Sequence, residues 1–180
     1  GLKEPTAYIL EEVRRAIERV DEKVIDEIVE ALATAPKIFT YGVGRSGLVG
    51  EAFAARLVQI GLDVHFVGDT TTPIVEEGDL VFIISNTGET MSAVQTANIV
   101  RRIGATVVSI TGSTHSKLGI ASNLVLELVQ PRDDQKKRMA PLGTIFELSC
   151  MVMLDSMVPL LMTRLDQDEA SLRRRHAIWV

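Results

Sequence analysis

The sequence is poor in cysteine, histidine and aromatic residues, and these shortages exclude several kinds of site. Of 180 residues, one is cysteine, three are histidine and 4% are aromatic. The single cysteine, Cys150, rules out an intramolecular disulfide bond and a zinc site built on several thiolates. Because its neighbours are apolar, we expect Cys150 to be a buried core residue and not a nucleophile. No two histidines have the spacing of metal ligands, so we expect no metal site.

Positive charge and long apolar runs are also in short supply. Lysine and arginine number 19 against 24 aspartate and glutamate residues, so we expect no nucleic-acid partner, which would need a basic face. The most apolar stretch, 150–162, is short and contains Asp155 and Pro159, whereas a membrane-spanning helix needs about 20 apolar residues. No basic-then-apolar signal segment opens the sequence. We therefore expect a soluble, cytoplasmic protein without a membrane partner.

What the sequence does contain is a regular alternation of strand and helix signals. The pattern predicts strands at 37–41, 64–67, 80–84, 106–111 and 124–128, and helices at 46–60, 89–103, 144–165 and 168–176. The predicted parts are an N-terminal helical segment (1–35), an α/β core (36–130) and C-terminal helices (141–180). The apolar pattern of the first segment is long for a single globular helix and allows a break near Asp21. This order predicts one α/β domain over residues 1–180, with a parallel sheet flanked by helices on both faces.

A glycine-rich turn follows the first predicted strand. Residues Gly42-Val-Gly-Arg-Ser-Gly47 fit the pattern G-x-G-x-x-G between a strand and a helix, where backbone N–H groups can receive an anion. The pattern leaves three interpretations open: a dinucleotide site with Asp69 as the ribose-binding acid, a site for another phosphate, or a tight turn needed for packing. Arg45 within the turn either contacts a phosphate or is solvated.

A second turn, Ser85-Asn-Thr-Gly-Glu-Thr90, follows the third predicted strand and opens a helix. Its three hydroxyls, one amide and one glycine suit a phosphate monoester. The alternative is helix capping by Ser85 or Thr87. Because capping needs one hydroxyl and not three, we favour phosphate binding.

The second turn resembles the S-x-S-G-x-T signature of SIS (sugar isomerase) domains, with Asn86 and Thr87 at its variable positions. Four further segments resemble one branch of that family, the 6-phospho-3-hexuloisomerases. They are Tyr41-Gly-Val-Gly-Arg-Ser-Gly47, Phe66-Val-Gly-Asp-Thr-Thr-Thr-Pro73, Pro141-Leu-Gly-Thr-Ile-Phe-Glu147 and Arg175-His-Ala177. These segments occur in the family's order and span most of the chain from Lys37 onward.

The resemblance implies a fold, an activity and a set of site residues. The fold is a five-stranded parallel sheet in flavodoxin-like order, within a homotetramer. The activity is the reversible, cofactor-free isomerisation of 3-hexulose 6-phosphate to fructose 6-phosphate through an enediolate, a step of formaldehyde fixation by the ribulose monophosphate pathway. The residues expected to hold the phosphate are Ser46, Ser85, Asn86, Thr87 and Thr90, with Gly44 and Arg45 beside them. Glu147 is the expected catalytic base, and His176 its partner across a subunit interface.

Several residues keep a second interpretation. Thr144-x-x-Glu147 is also the spacing of a capping box, in which Glu147 bonds only to the backbone. His176 follows three arginines, which form either a solvated helix end or a cationic one that attracts the substrate. We expect His65 to be structural and residues 132–138 to be a solvated loop, and the role of His115 stays open.

Three competing functions follow from the same residues. The hydroxyl-rich turn would also serve a non-catalytic sugar-phosphate sensor or an isomerase for another ketose or aldose phosphate. The glycine turn alone would serve a dinucleotide-dependent oxidoreductase, but that hypothesis leaves the second turn unexplained.

Overall fold

Five parallel strands form one sheet at the centre of the structure, a computed structural model that describes residues 1–176. The strands are β1 (Ile38–Gly42), β2 (Val64–Phe66), β3 (Leu80–Ser85), β4 (Thr106–Thr111) and β5 (Leu124–Glu127). Their order in the sheet is β2-β1-β3-β4-β5, and every neighbouring pair is parallel. The predicted parallel sheet and its flavodoxin-like order are therefore confirmed. The strand order reverses beside β1, and the carboxyl ends of β1 and β3 mark the edge where such sheets bind ligands.

Helices cover both faces of the sheet. They are α1 (Lys3–Glu18), α2 (Glu22–Thr34), α3 (Arg45–Ile60), α4 (Met91–Ile103), α5 (Lys117–Ile120), α6 (Asp134–Met139), α7 (Thr144–Arg164) and α8 (Glu169–Arg174). Because side chains alternate along a strand, Leu80 and Phe82 of β3 join the core with α2, α3 and α7, whereas Val81 and Ile83 join the core with α4. Burial of β3 on both faces explains why its sequence is a continuous apolar run.

The N-terminal segment is divided into two helices near Asp21, where the length of the apolar pattern allows a break. Residues 19–21 separate α1 from α2, and the Asp21 carboxylate accepts a hydrogen bond of 2.9 Å from the Lys23 N–H, which caps α2. Both helices pack against α7, as does α3. By length and composition alone α7 could cross a membrane, but half of its apolar window is buried inside the protein. It is the core helix that closes one face of the sheet.

Cys150 lies in the buried part of α7. Burial raises the pKa of its thiol well above the ordinary value, and the nearby negative charge of Glu147 adds to that shift. The prediction of a buried, non-nucleophilic cysteine is confirmed in its structural part, because a thiol that stays protonated is a poor nucleophile.

Two local predictions were wrong. Residues 132–138 do not form a plain loop: α6 occupies Asp134–Met139, and the Asp133 side chain caps it by accepting the Lys136 N–H at 2.8 Å. Most of these side chains are exposed, so the helix is solvated, and the residue that caps it is its immediate neighbour in the sequence. The helix predicted from residue 89 begins at Met91, because residues 86–90 are held in the turn that precedes it.

Candidate active site

The glycine turn brings the end of β1 against the start of α3. A Cβ on Gly42 would lie 2.7 Å from the Gly47 backbone nitrogen, and one on Gly47 would lie 2.6 Å from the Gly42 carbonyl oxygen. Gly44 caps α3 with a φ of 60°, although a Cβ there would meet open space. The outer two glycines therefore permit close packing, and the middle one permits the left-handed backbone. The result is a helix N-terminus without a side-chain cap, directed at the carboxyl edge of the sheet.

The second turn forms what we call the hydroxyl cradle, residues Ser85–Thr90. A cavity of about 140 Å³ opens between it and the glycine turn. The residues that line the cavity are Val43, Ser46, Ile84, Ser85, Asn86, Thr87, Thr90 and Ala93. The structure thus gathers five predicted phosphate-binding residues around one small concave space, whereas Gly44 and Arg45 lie at its border.

The cradle hydroxyls do not cap the helix that follows. The Ser85 hydroxyl accepts the Gly88 N–H at 3.2 Å and lies 3.3 Å from the Thr90 hydroxyl, while the Thr87 hydroxyl accepts the Glu89 N–H at 3.2 Å. Thr90 is the N-cap residue of α4, but its side chain makes no capping bond. The capping interpretation of Ser85 and Thr87 was therefore wrong for α4, and the first-turn N–H groups remain available to an anion.

The segment that follows β4 holds the cradle in place through backbone hydrogen bonds. The Asn86 carbonyl accepts the Gly112 N–H at 2.8 Å, and the Gly88 carbonyl accepts the Leu118 N–H at 2.9 Å. Gly88 has a φ of 64°, and a Cβ there would overlap the Ser116 hydroxyl. Glu89 pairs with the Lys117 ammonium at 2.9 Å, and this bond lowers the pKa of the Glu89 carboxyl. These contacts fix the backbone shape of the cradle before any ligand is bound.

Glu147 reaches the same edge from α7, the last long helix. Its carboxylate accepts a hydrogen bond from the Arg45 guanidinium, 102 residues away in the sequence. The side chain of Glu147 is 13% exposed and that of Arg45 is 69% exposed, so the carboxylate lies in a recess and the guanidinium at its mouth. A cavity of about 200 Å³ beside this pair is otherwise lined by Leu48, Val49, Leu148 and Met151.

The capping box at Thr144 and Glu147 does not form. Gly143 is the N-cap residue of α7, and both the N–H and the hydroxyl of Thr144 donate to the Pro141 carbonyl, at 3.3 and 2.7 Å. A Cβ on Gly143 would lie 2.7 Å from the Glu147 Oε1, so this glycine leaves room for the carboxylate. Sequence reasoning missed that role of Gly143, although its place in the segment 141–147 pointed to it.

His176 lies far from Glu147 within the chain. Its neighbour Arg175 donates to the carbonyls of Gln59 and Ile60 at the end of α3, each at 3.3 Å. Arg45 starts α3, a helix of 16 residues that spans about 24 Å. The structure therefore does not bring His176 to the base of its own chain. Ala177, the last residue of the matching terminal segment, lies outside the described residues.

The remaining polar candidates take structural positions. His65 bonds to Asp63 at 2.8 Å and packs near the ring of Phe39, in keeping with the structural role predicted for it. Asp69 lines a different cavity, beside α3 and β2, away from the cradle. His115 is exposed, with its ring nitrogen 3.3 Å from the Thr114 hydroxyl. Within residues 1–176, no three His, Cys, Asp or Glu side chains gather as a metal site.

Residues 31–155 match the SIS domain family. The chain belongs to this family. The 3-hexulose-6-phosphate isomerase of Methanocaldococcus jannaschii is 35% identical to this SIS protein over 152 residues, which cover 84% of this chain and 82% of the relative. The 3-hexulose-6-phosphate isomerase of Bacillus subtilis is 32% identical over 178 residues, 97% of this chain and 96% of the relative.

A solved structure agrees with these relatives. It is a hypothetical protein of Methanococcus jannaschii for which the function of 3-hexulose-6-phosphate isomerase was inferred. It superposes on this SIS protein with a TM-score of 0.84 and 31% identity, covering 95% of this chain and 98% of its own. The expected resemblance to the SIS family and to its 3-hexulose-6-phosphate isomerases is confirmed.

The two left-handed glycines of the site allow a matched stability test. Gly44→Ala introduces only backbone strain, at φ 60° and ψ -133°, which we expect to lower the free energy of unfolding by about 1–3 kcal/mol. Gly88→Ala adds the overlap with Ser116 to the same strain, so we expect a clearly larger loss. Urea denaturation of both variants measures the difference. Equal losses of unfolding free energy in the two variants would contradict the close packing of Ser116 against Gly88 in the cradle.

Proposed function

We propose that the protein converts 3-hexulose 6-phosphate to fructose 6-phosphate, reversibly and through an enediolate. Relatives of similar length that are named 3-hexulose-6-phosphate isomerase support a sugar-phosphate isomerase of the SIS family. The observation that carries the proposal is the recessed carboxylate of Glu147, which lies next to the glycine turn at the edge that also holds the hydroxyl cradle.

The sugar phosphate enters the cavity between the two turns in this proposal. The hydroxyls of Ser46, Ser85, Thr87 and Thr90 surround the phosphate oxygens, and the first-turn N–H groups of α3 and α4 point at the same space. Two helix N-termini without side-chain caps favour a dianion. Asn86 contributes through its backbone. Hydroxyl and N–H donors are sufficient to satisfy the phosphate oxygens directly in this proposal.

Glu147 acts as the general base. Its carboxylate takes the proton from C2 of the sugar, the C–H electron pair becomes the C2=C3 double bond, and the C3 carbonyl oxygen takes up the displaced pair. The hydroxyl proton then moves from O2 to O3, and the proton held by Glu147 returns to carbon at C3. Arg45 is bonded to this carboxylate and fixes its direction, and its positive charge at the mouth of the recess would stabilise the developing oxyanion.

His176 must come from another subunit if it takes part. Its own chain holds it near the far end of α3, so only a neighbouring copy can present it to Glu147. We propose that the protein is a homotetramer. Among the exposed apolar residues, four lie on α3 and α7 (Leu48, Val58, Leu148, Val152) and three lie on α4 (Met91, Ile99, Ile103), and we infer one interface on each group. Two independent surfaces are what a tetramer of dihedral symmetry requires.

The cradle is tested by removing two of its hydroxyls. Ser85→Ala combined with Thr90→Val should raise KM for the sugar phosphate by several-fold to a few hundred-fold, at about 1–3 kcal/mol for each lost charge-assisted bond. The control is Thr34→Val with Ser156→Ala, whose hydroxyls bond to the backbone carbonyls of Glu30 and Val152, away from the cradle. The assay couples formation of 3-hexulose 6-phosphate to detection of fructose 6-phosphate. An unchanged KM in the folded double variant would refute the phosphate assignment.

The base is tested by Glu147→Gln, which keeps the shape of the side chain but removes its ability to take a proton from carbon. We expect kcat to fall by about 100-fold or more, with KM little changed. Glu30→Gln is the matched control, since it also removes a carboxylate from an arginine pair, at 2.7 Å from Arg164 and remote from the cradle. Near-normal kcat in Glu147→Gln would place the base elsewhere.

The assembly is tested by one charge on each apolar surface. Light scattering at micromolar concentration should show a tetramer for the unaltered protein. Val152→Glu and Ile99→Glu should each give a dimer, because burying an unpaired carboxylate prevents one of the two interfaces from forming. The two changes together should give a monomer. A monomeric unaltered protein would exclude His176 from the mechanism.

A further inference from the structure

Arg175 holds the end of α8 against the end of α3. Its guanidinium donates to the carbonyls of Gln59 and Ile60, each at 3.3 Å, and to the Gln167 side chain at 2.9 Å. The last carbonyls of a helix have no partner within the helix and form the negative end of its dipole, so a guanidinium is a favourable cap. Arg175 therefore closes α3, although it lies 115 residues beyond Ile60 in the sequence.

Gly61 leaves the space that this guanidinium occupies. It follows the last residue of α3 with a φ of 104°, and a Cβ there would lie 2.9 Å from the Arg175 Cζ. Gly104 ends α4 in the same way with a φ of 89°, but the nearest atom to its Cβ would be the Glu77 Cγ, at 3.3 Å. Both glycines permit the left-handed backbone that ends a helix, and Gly61 in addition admits a charged side chain from the segment after α8.

His176 follows directly on this anchor. Its N–H donates to the Arg173 carbonyl at 3.2 Å, and the Arg175 N–H donates to the Leu172 carbonyl at 3.1 Å, so both residues continue the last turn of α8. With six residues, α8 is too short to be stable by itself, and its position depends on its packing against α3. Arg175 supplies hydrogen bonds of that contact immediately before His176.

We propose that Arg175 is a positioning residue, which fixes His176 at the end of α3 so that it can serve Glu147 of a neighbouring subunit. This inference rests on the proposed function, in which His176 acts across an interface. The Arg175 guanidinium is bound to carbonyls of its own chain and makes no contact with substrate. Its loss would therefore misplace His176 and lower kcat, whereas phosphate binding, and with it KM, would change little.

The two ends of α3 show how an assembly could make this delivery. Arg45, which contacts the base, starts the helix, and Arg175 and His176 are held at its end. The exposed residues Leu48 and Val58 lie near opposite ends of α3, on the surface inferred to be an interface. A two-fold axis across the middle of α3 would pair the start of the helix in one subunit with its end in the other. Each base would then lie near the end of the α3 that carries the other subunit's histidine.

Two pairs of substitutions separate positioning from stability. Gly61→Ala and Gly104→Ala introduce a similar backbone strain, but only the first displaces the Arg175 guanidinium. Arg175→Gln and Arg164→Gln each remove an arginine that joins two helices, since Arg164 of α7 bonds to Glu30 of α2 at 2.7 and 2.9 Å. We expect a modest fall in Tm in all four variants. We expect kcat to fall about 10- to 100-fold in Gly61→Ala and Arg175→Gln, with KM little changed, and to stay near normal in the two controls.

The decisive measurement is a double-mutant cycle with His176→Ala. If Arg175 acts through His176, Arg175→Gln should reduce kcat no further once His176 is replaced by alanine. A merely structural Arg175 would lower kcat by the same factor in either background, and that result would overturn the inference. Unaltered kcat in His176→Ala, or in a folded Gly61→Ala, would also overturn it. In each of these cases an active unaltered protein would leave the proposed isomerase intact.

Delivery to a neighbouring subunit is tested with mixed oligomers. Glu147→Gln and Arg175→Gln chains, co-expressed with different tags and purified through both, form sites in which an intact base meets an intact Arg175 from the other chain. We expect a kcat above that of either variant alone. No recovery would overturn delivery across the interface. An unaltered protein that does not isomerise 3-hexulose 6-phosphate would overturn the proposed function itself, and this inference with it.

Discussion

The pairing of β1 with β3 is the constraint on which the site depends. In this register Gly42 lies opposite Ile84, so the two strands end side by side and the turns that follow them begin at one level. Neighbouring strands are about 4.8 Å apart, and two turns at that separation enclose a space of the size of a phosphate group. Parallel pairing also directs both following helices away from the same edge, so that α3 and α4 present their N–H groups to one cavity. The cavity between the two turns is thus a consequence of strand direction before any side chain is considered.

Glycines and hydroxyl side chains have different roles around that space. The glycines at 42, 44, 47 and 88 let backbone segments approach each other or adopt a positive φ. They shape the space but offer no side-chain group to a ligand. The hydroxyls supply directional donors, and three of them already take part in bonds within the turn. A cradle fixed in this way loses little conformational entropy when an anion binds, which favours affinity.

Local patterns predicted most of the fold because they act over a few residues. The strands, the break at Asp21 and the helix ends at Gly61 and Gly104 all follow from spacing, capping or backbone freedom within one turn. The predictions failed where a side chain depends on contacts that are distant in the sequence. The spacing of Thr144 and Glu147 fits a capping box, but Arg45 competes for the carboxylate from a helix 102 residues away, which no local pattern reveals. The position of His176 depends on how α8 packs on α3 and was likewise beyond the sequence.

The distribution of charge sets how this site can work. The chain carries a net charge of -5, and the hydroxyl cradle contains no cationic side chain, so a phosphate dianion must be held by neutral donors and helix ends. The cation at the border, Arg45, is directed at Glu147 and not into the cradle. In the proposed reaction, charge would therefore lie where it changes, next to Glu147 as the base and the enediolate, and away from the phosphate, whose charge stays constant. Donors fixed around a constant charge bind substrate and transition state alike, whereas a cation beside the changing charge contributes selectively to the transition state. The proposed function therefore assigns affinity to the cradle and rate to the Arg45–Glu147 pair.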